Sequence, residues 1–259
     1  MVQLAEISWT DAGELFKEND VALVPVGSTE QHGPHNPLGT DHLVAAAVSK
    51  AVGDKTGVPV LPVIPVGVSV HHRQFTGSLW VPPKIFREYM KAVALSAVSH
   101  GAKKIVFVNG HGGNMAALME VAGELRREHE IFAVVFLAFP MNMMEVGPGH
   151  AGAGETSVNL YFHKHLVNME KAVDTKQHEK LGELRIEGFN RLGPAQFAWD
   201  TIDLSPTGVL GGAGQMITST NASEEMGRKL MEPFIEEVSK FVEELKKADV
   251  KKLLCKPHK

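Results

Sequence analysis

Two short runs of unbroken apolar residues constrain this chain most. Residues 21–26 (VALVPV) and 104–108 (KIVFV) each run directly into a loop carrying glycine and histidine, and each loop leads into a helical pattern. A run without polar alternation reads as a strand buried on both faces, which is the signature of parallel sheets covered by helices. A third apolar run spans residues 131–139. A fourth, residues 58–66, is interrupted by Pro59, Pro62 and Pro65, which places it near an edge or at a bend. Helical patterns fill the intervals: residues 41–52, with Thr40 or Asp41 as N-cap; 83–100, with proline in the first turn and Gly101 just past the end; 115–129; 155–165; and 224–247. Residues 209–219, rich in small side chains, are expected to turn or to pair at the sheet edge. The alternation predicts an α/β fold in one domain over residues 1–259, a mainly parallel sheet flanked by helices on both faces. In such sheets, sites form where strands end and helices begin.

Composition agrees and excludes some functions. The 259 residues are 44% hydrophobic and 22% charged, with 26 Lys+Arg against 30 Asp+Glu and a net charge of −4. That is ordinary globular usage. It lacks the basic footprint of a nucleic-acid binder, so no nucleic-acid partner is expected. The longest apolar stretch is far short of the roughly 20 residues a spanning helix needs, so no membrane partner is expected. One cysteine, Cys255, excludes an intramolecular disulfide and suits a reducing cytoplasm. The first twenty residues carry five acids and no long apolar run, and no signal peptide is readable there.

Four clusters carry chemistry. The first, residues 27–35 (GSTEQHGPH), follows the first strand and places Glu30 and His32 two apart, with Asp41 opening the next helix. Carboxylates with imidazole form a ligand mix for Zn, Mn or Fe. Alone, the same residues read as helix-capping acids beside a loop histidine. The second, residues 109–114 (NGHGGN), presents His111 at the mouth of the sheet. It reads as a metal ligand, as a helix N-terminus binding an anion, or as a tight turn; its glycine spacing is no dinucleotide fingerprint. In the third, residues 150–157 (HAGAGETS), His150 can act as acid or base, while Glu155 stands in a first helical turn where a carboxylate also complements the dipole. The fourth, residues 69–78, holds His71 and His72, which point to opposite sides if extended, so at most one is expected to face a site. The histidines on helices and in the tail, including His258, lack convergent carboxylates. Together, acids and histidines at successive strand ends make chance the poorer account.

These motifs resemble the creatininase (creatinine amidohydrolase) family: Val26–Gly33 followed by residues 37–41 (PLGTD), then residues 109–114, then residues 150–157, in the family's order. The stretch 69–77 resembles the family's segment in which a histidine precedes a turn; His72 fits that position as a substrate-binding residue, while Thr76 stands where proline is usual. The resemblance implies a two-metal hydrolase, commonly a homohexamer. It gives Glu30, His32, Asp41 and His111 as metal ligands, with Asp41 bridging; His150, on the reading of its cluster above, is the proton shuttle. Creatininase supplies a further glutamate two residues past the loop histidine, where this chain has Gly113; Glu155 is the candidate replacement.

The resulting expectation is an amidohydrolase holding two divalent ions per subunit (Zn, Mn or Fe). It would cleave a C–N bond of a cyclic amide or formamide in a small-molecule substrate, using a hydroxide whose pKa the ions bring toward roughly 7. Alternatives are ring opening of an oxidised cyclic polyol such as a keto-inositol, deformylation of a formamidopyrimidine nucleotide, and peptide trimming. Outside this class stand a silent binding protein of the same fold and a metal-free phosphate-binding enzyme. Creatinine is expected to be a poor substrate, because residues 139–149 hold no tryptophan.

Overall fold

The computed structural model describes residues 2–254; Cys255 and His258 lie outside them. Three strands, β1 (Val21–Val26), β2 (Lys104–Asn109) and β3 (Phe132–Leu137), form a parallel sheet in the order β1-β2-β3. Val21 pairs with Lys104, and Lys104 with Phe132, so the three carboxyl ends finish level. The helices are α1 (Trp9–Glu18), α2 (Thr40–Thr56), α3 (Pro83–Ser99), α4 (Met115–His129), α5 (Met143–Val146), α6 (Ala153–His163), α7 (Thr201–Leu204), α8 (Glu224–Lys247) and α9 (Val250–Leu253).

The period-2 alternation of the strands sorts these helices into two layers. Val21, Leu23, Val106 and Val108 face α2 and α8, against Val44, Val48, Val52, Met231 and Val242. Ala22, Val24, Ile105 and Phe107 face α3 and α4, against Phe86, Met90, Leu118 and Val121. All residues of β1 and β2 are buried, whereas β3 is half-buried throughout, as an edge strand is. Ends differ from expectation: α2 begins at Thr40 with Gly39, not Thr40 or Asp41, as its N-cap and continues four residues further, to Thr56, and α6 begins at Ala153 rather than Glu155. Among the described residues no helix is long and apolar enough to cross a membrane.

The proline-interrupted segment 58–66 lies beside β1 through single parallel bridges, Leu23 to Val60 and Val26 to Ile64. The N–H groups of Leu61 and Ile64 donate to the carbonyls of Leu23 and Pro25. The prolines occupy positions where no donor is required, so the segment extends the sheet without becoming a continuous strand.

Residues 209–219 do not join this sheet. Met216–Ile217 pairs antiparallel with Thr175–Lys176, and Leu210 bridges His150. Between these partners lie two further two-residue hairpin ladders, Lys180–Leu181 with Leu184–Arg185 and Arg191–Leu192 with Ala195–Gln196. Ile186, Leu204 and Leu210 are buried here, with Phe189, Phe197 and Trp199 packed against them. The expected sheet edge is thus a small antiparallel annex with its own core.

Phe107 is fully buried between the sheet and the α3–α4 layer. Phe107→Ala is expected to lower unfolding stability by about 3–5 kcal/mol, read as a shift in denaturant midpoint.

Candidate active site

The carboxyl end of β1 delivers Glu30 and His32, that of β2 delivers His111, and the first turn of α2 delivers Asp41. What brings them together is close backbone approach. A Cβ on Gly110 would lie 2.1 Å from the Asp41 carbonyl oxygen, and one on Gly27 would lie 2.3 Å from the His42 nitrogen. Glycine at both positions lets the start of α2 press directly on the ends of β1 and β2.

Glu30, His32 and Asp41 are all but fully buried, and His111 and Glu155 nearly so. His32 Nε2 stands 3.0 Å from Asp41 Oδ1 and 3.7 Å from Glu155 Oε1. His111 Nδ1 stands 3.1 Å from Glu30 Oε2 and 3.2 Å from Asp41 Oδ2. The two oxygens of Asp41 therefore face two different histidines. Despite these distances, both Glu30 oxygens, His32 Nε2 and Asp41 Oδ2 are buried without a hydrogen bond. Buried polar atoms rarely remain unsatisfied, and several converging on one point mark a place built for something else.

The outer nitrogens of the histidines identify what that is. His32 Nδ1 lies 3.1 Å from the Glu30 carbonyl, and His111 Nε2 lies 3.0 Å from the Val68 carbonyl. A carbonyl only accepts, so those nitrogens carry the protons and the inner ones turn lone pairs toward the carboxylates. Such an arrangement needs positive charge between the groups. Without a cation, the histidines must supply it. Burial opposes the His32 cation, but Asp41 and Glu155 hold its pKa well above the usual histidine value; burial likewise opposes charge on His111, and Glu30 and Asp41 overcome it. Burial resists ionisation of Glu30, yet His111 and His72 hold its carboxyl well below the usual range. Two groupings here, Glu30–Asp41–His111 and His32–His150–Glu155, each bring ligand atoms within 4.8 Å of one another and could hold a metal ion.

Glu155 uses its two oxygens differently. Oε2 accepts from the Ala151 N–H at 2.6 Å, while Oε1 faces His32. The bond resembles a capping box, but it reaches a residue before the helix, and Ala151 itself holds φ +55 without being glycine. Burial pushes the Glu155 carboxyl up, and His32 more than reverses this, lowering it to about 2. Gly113, where creatininase resemblance would place a glutamate, has no room: a Cβ would lie 2.4 Å from His111 Nε2 and 2.5 Å from the Val68 carbonyl oxygen.

His150 packs with its ring centroid 4.3 Å from that of His32 and 4.9 Å from that of His72. Burial and the neighbouring His32 lower its pKa to about 4. The fourth cluster departs from expectation: both His71 and His72 line the cleft. Residues Val70–His72 form a 3-10 turn rather than an extended strand, so successive side chains diverge by about 120° instead of 180°. His72, 2% exposed, sets Nε2 3.2 Å from Glu30 Oε1 and Nδ1 2.7 Å from Thr201 Oγ1. It braces Glu30 from the cleft wall.

Sequence reasoning missed Gln31 and the aromatic wall. The buried Gln31 Nε2 lies 3.0 Å from His72 Nδ1, 2.8 Å from His150 Nε2 and 3.2 Å from the Gly208 carbonyl, tying three loops together. Its place between Glu30 and His32 was the available signal. Although residues 139–149 contain no tryptophan, the cleft is not without one: Trp199 lines it with Phe189 and Phe197 from the annex. The cleft measures about 660 Å³, and among the described residues lining it there is no lysine or arginine.

The family model described as "Creatininase: Creatinine amidohydrolase" matches residues 5–242. A mycofactocin precursor peptide peptidase from Mycobacterium ulcerans (strain Agy99) is 31% identical over 243 residues, covering 90% of this chain and 89% of the relative. A 3-dehydro-scyllo-inosose hydrolase from Thermotoga maritima is 28% identical over 257 residues, 90% of this chain and 79% of the relative. The crystal structure of a creatinine amidohydrolase superposes with a TM-score of 0.79 at 21% identity, covering 96% of this chain and 99% of its own. Creatininases described as Mn and as a Zn-Zn type mutant align at 0.78 and 0.77. These superpositions speak to the fold.

The glycine contacts give a paired test. Gly110→Ala is expected to cost at least about 1–3 kcal/mol, because its methyl meets backbone that cannot yield. Gly112→Ala, with nothing within 4 Å of the added carbon, is expected to change stability by less than about 0.5 kcal/mol. Chemical denaturation of the two variants side by side checks this.

Proposed function

The chain belongs to the creatininase family of hydrolases, and on that premise we propose that it is an amidohydrolase dependent on two divalent ions, cleaving a C–N bond of a cyclic amide or formamide. One observation carries the reading. Asp41 turns one oxygen to His32 and the other to His111, with Glu155 completing one side and Glu30 the other. A carboxylate so placed would reach both ions if two were held there. The donors suit Zn, Mn or Fe. The names of the Mn and Zn-Zn creatininase structures support metal in this fold.

When bound, two such ions supply Lewis acidity for the carbonyl oxygen and an acidified water as nucleophile. The chain's own residues do the rest. Glu30, His32, Asp41, His111 and Glu155 hold the charge centre, and the carbonyls of Glu30 and Val68 fix both histidine tautomers. His150 is neutral at pH 7. His150 sets Nε2 2.8 Å from both the carbonyl oxygen and the side-chain nitrogen of Gln31. It takes the proton released by the attacking water and passes it to the leaving nitrogen. His72 and Gln31 orient Glu30 and His150. The aromatic wall limits water on the far side of the cleft.

A second reading takes the amide from a peptide. The 31%-identical relative, named a precursor peptide peptidase, favours it, and the same carbonyl chemistry would serve. The deciding experiment combines elemental analysis with a screen of protein reconstituted with Mn, Zn or Fe. Substrates are creatinine, a formamidopyrimidine nucleotide, keto-inositols and short peptides. We expect two metal equivalents and amide turnover, with creatinine at best poor. Hydrolysis by protein holding almost no metal would overturn the reading.

Asp41→Ala is expected to lose most bound metal and all measurable hydrolysis; an undiminished metal stoichiometry would remove Asp41 from the ligand set. Glu155→Gln is expected to lower metal occupancy and activity while the fold survives. If Glu155 acted only near the helix start, the same change would cost about 1 kcal/mol or less and leave metal content alone.

A further inference from the structure

The cleft lining brings together two chemical kinds of surface, an acidic floor with Glu30, Asp41, His111 and Glu155 and an aromatic wall with Phe189, Phe197 and Trp199. Resting on the metal-dependent amidohydrolase reading, we propose that the substrate carries an aromatic or branched apolar group beside its scissile carbonyl and no phosphate, and that Phe189, Phe197 and Trp199 select it.

The wall is built rather than incidental. Phe189 meets Trp199 edge to face at 5.0 Å, and Trp199 meets His71 edge to face at 4.9 Å. These are the offsets aromatic pairs prefer. Buried Ile186, Leu204 and Leu210 back the wall. It is also tied to the loop that braces the floor. Asp200, next to Trp199, pairs with Arg73 and accepts from Gln74 Nε2 at 2.7 Å, and Thr201 Oγ1 lies 2.7 Å from His72 Nδ1. The position of Trp199 is therefore set against the same histidine that contacts Glu30. A ring or branched group held against this wall keeps its carbonyl over the carboxylates.

Charge excludes the alternative. No lysine or arginine is among the described lining residues, and the guanidinium of nearby Arg73 is engaged by Asp200. A phosphate in the outer cleft would find apolar surface where it needs a counter-charge, and desolvating it there is unfavourable. The volume of about 660 Å³ lies within the range of pockets that enclose a ligand of several rings.

Hydroxamates test this through binding, without requiring turnover, because they chelate metal at the position of a carbonyl. Acetohydroxamate, phenylacetohydroxamate and phosphonoacetohydroxamate are titrated into Zn-loaded protein by calorimetry. Phenylacetohydroxamate is expected to bind at least about tenfold tighter than acetohydroxamate, equivalent to about 1.4 kcal/mol. Phosphonoacetohydroxamate is expected to bind no tighter than acetohydroxamate. Trp199→Ala should remove most of the phenyl advantage with bound metal unchanged; Phe197→Ala provides the same reading if Trp199→Ala does not fold. Equal affinity for the phenyl and methyl compounds, or a tighter phosphono compound, overturns the inference alone. If acetohydroxamate itself does not bind Zn-loaded protein, the hydrolase reading falls and this inference with it.

Discussion

Three carboxylates buried within reach of one another are the constraint on which the rest of this structure depends. Glu30, Asp41 and Glu155 would repel strongly in a dry interior, and two histidines alone can offset only part of that charge. The protein meets this with geometry. Each histidine is anchored through its outer nitrogen to a carbonyl, and each inner nitrogen is directed at a carboxylate pair. The ion pairs are close, yet the atoms that matter are aligned for no hydrogen bond among themselves. A donor set left in that condition could hold a cation from outside the chain.

Holding it there requires backbone devices that contribute nothing to core burial. Gly27 and Gly110 let the first turn of α2 lie against two strand ends, so Asp41 arrives with its helix rather than on a flexible loop. Ala151 adopts a left-handed conformation that its side chain disfavours; it is held by the bond from its N–H to Glu155 and by the hydroxyl of Ser219, which donates to its carbonyl at 2.7 Å. Strain of this kind persists only where the surroundings over-determine it. Gly113 belongs to the same logic, because the contact between His111 and the Val68 carbonyl occupies the space a side chain there would need. Glu155 comes to the same cluster from the first turn of α6.

The antiparallel annex adds an aromatic wall beside this charge centre. Its ladders are only two residues long and would not be stable alone, but its small core and its ties to Arg73 and His72 fix it over the floor. The acidic floor and the aromatic wall thus come from different parts of the chain, the strand ends and helix starts supplying one and the annex the other.

The sequence by itself determined the parallel sheet, its two helical layers and the residues that gather at the strand ends. Unbroken apolar runs have one stable use, and boundary signals such as the proline in the first turn of α3 and Gly101 just past its end act within three or four residues. Glu30, His32, Asp41 and His111 were legible because each follows such a local boundary. Only the tertiary structure decided the rest. His71 joined the cleft because a 3-10 turn replaced an extended one, a choice its own residues do not force. Gln31 became a hub through partners 41, 119 and 177 residues away. Trp199 reached the cleft on an irregular segment that follows a two-residue strand and shows no periodicity. Contacts of that kind depend on how distant loops close over one another. No local pattern in the chain records that closure.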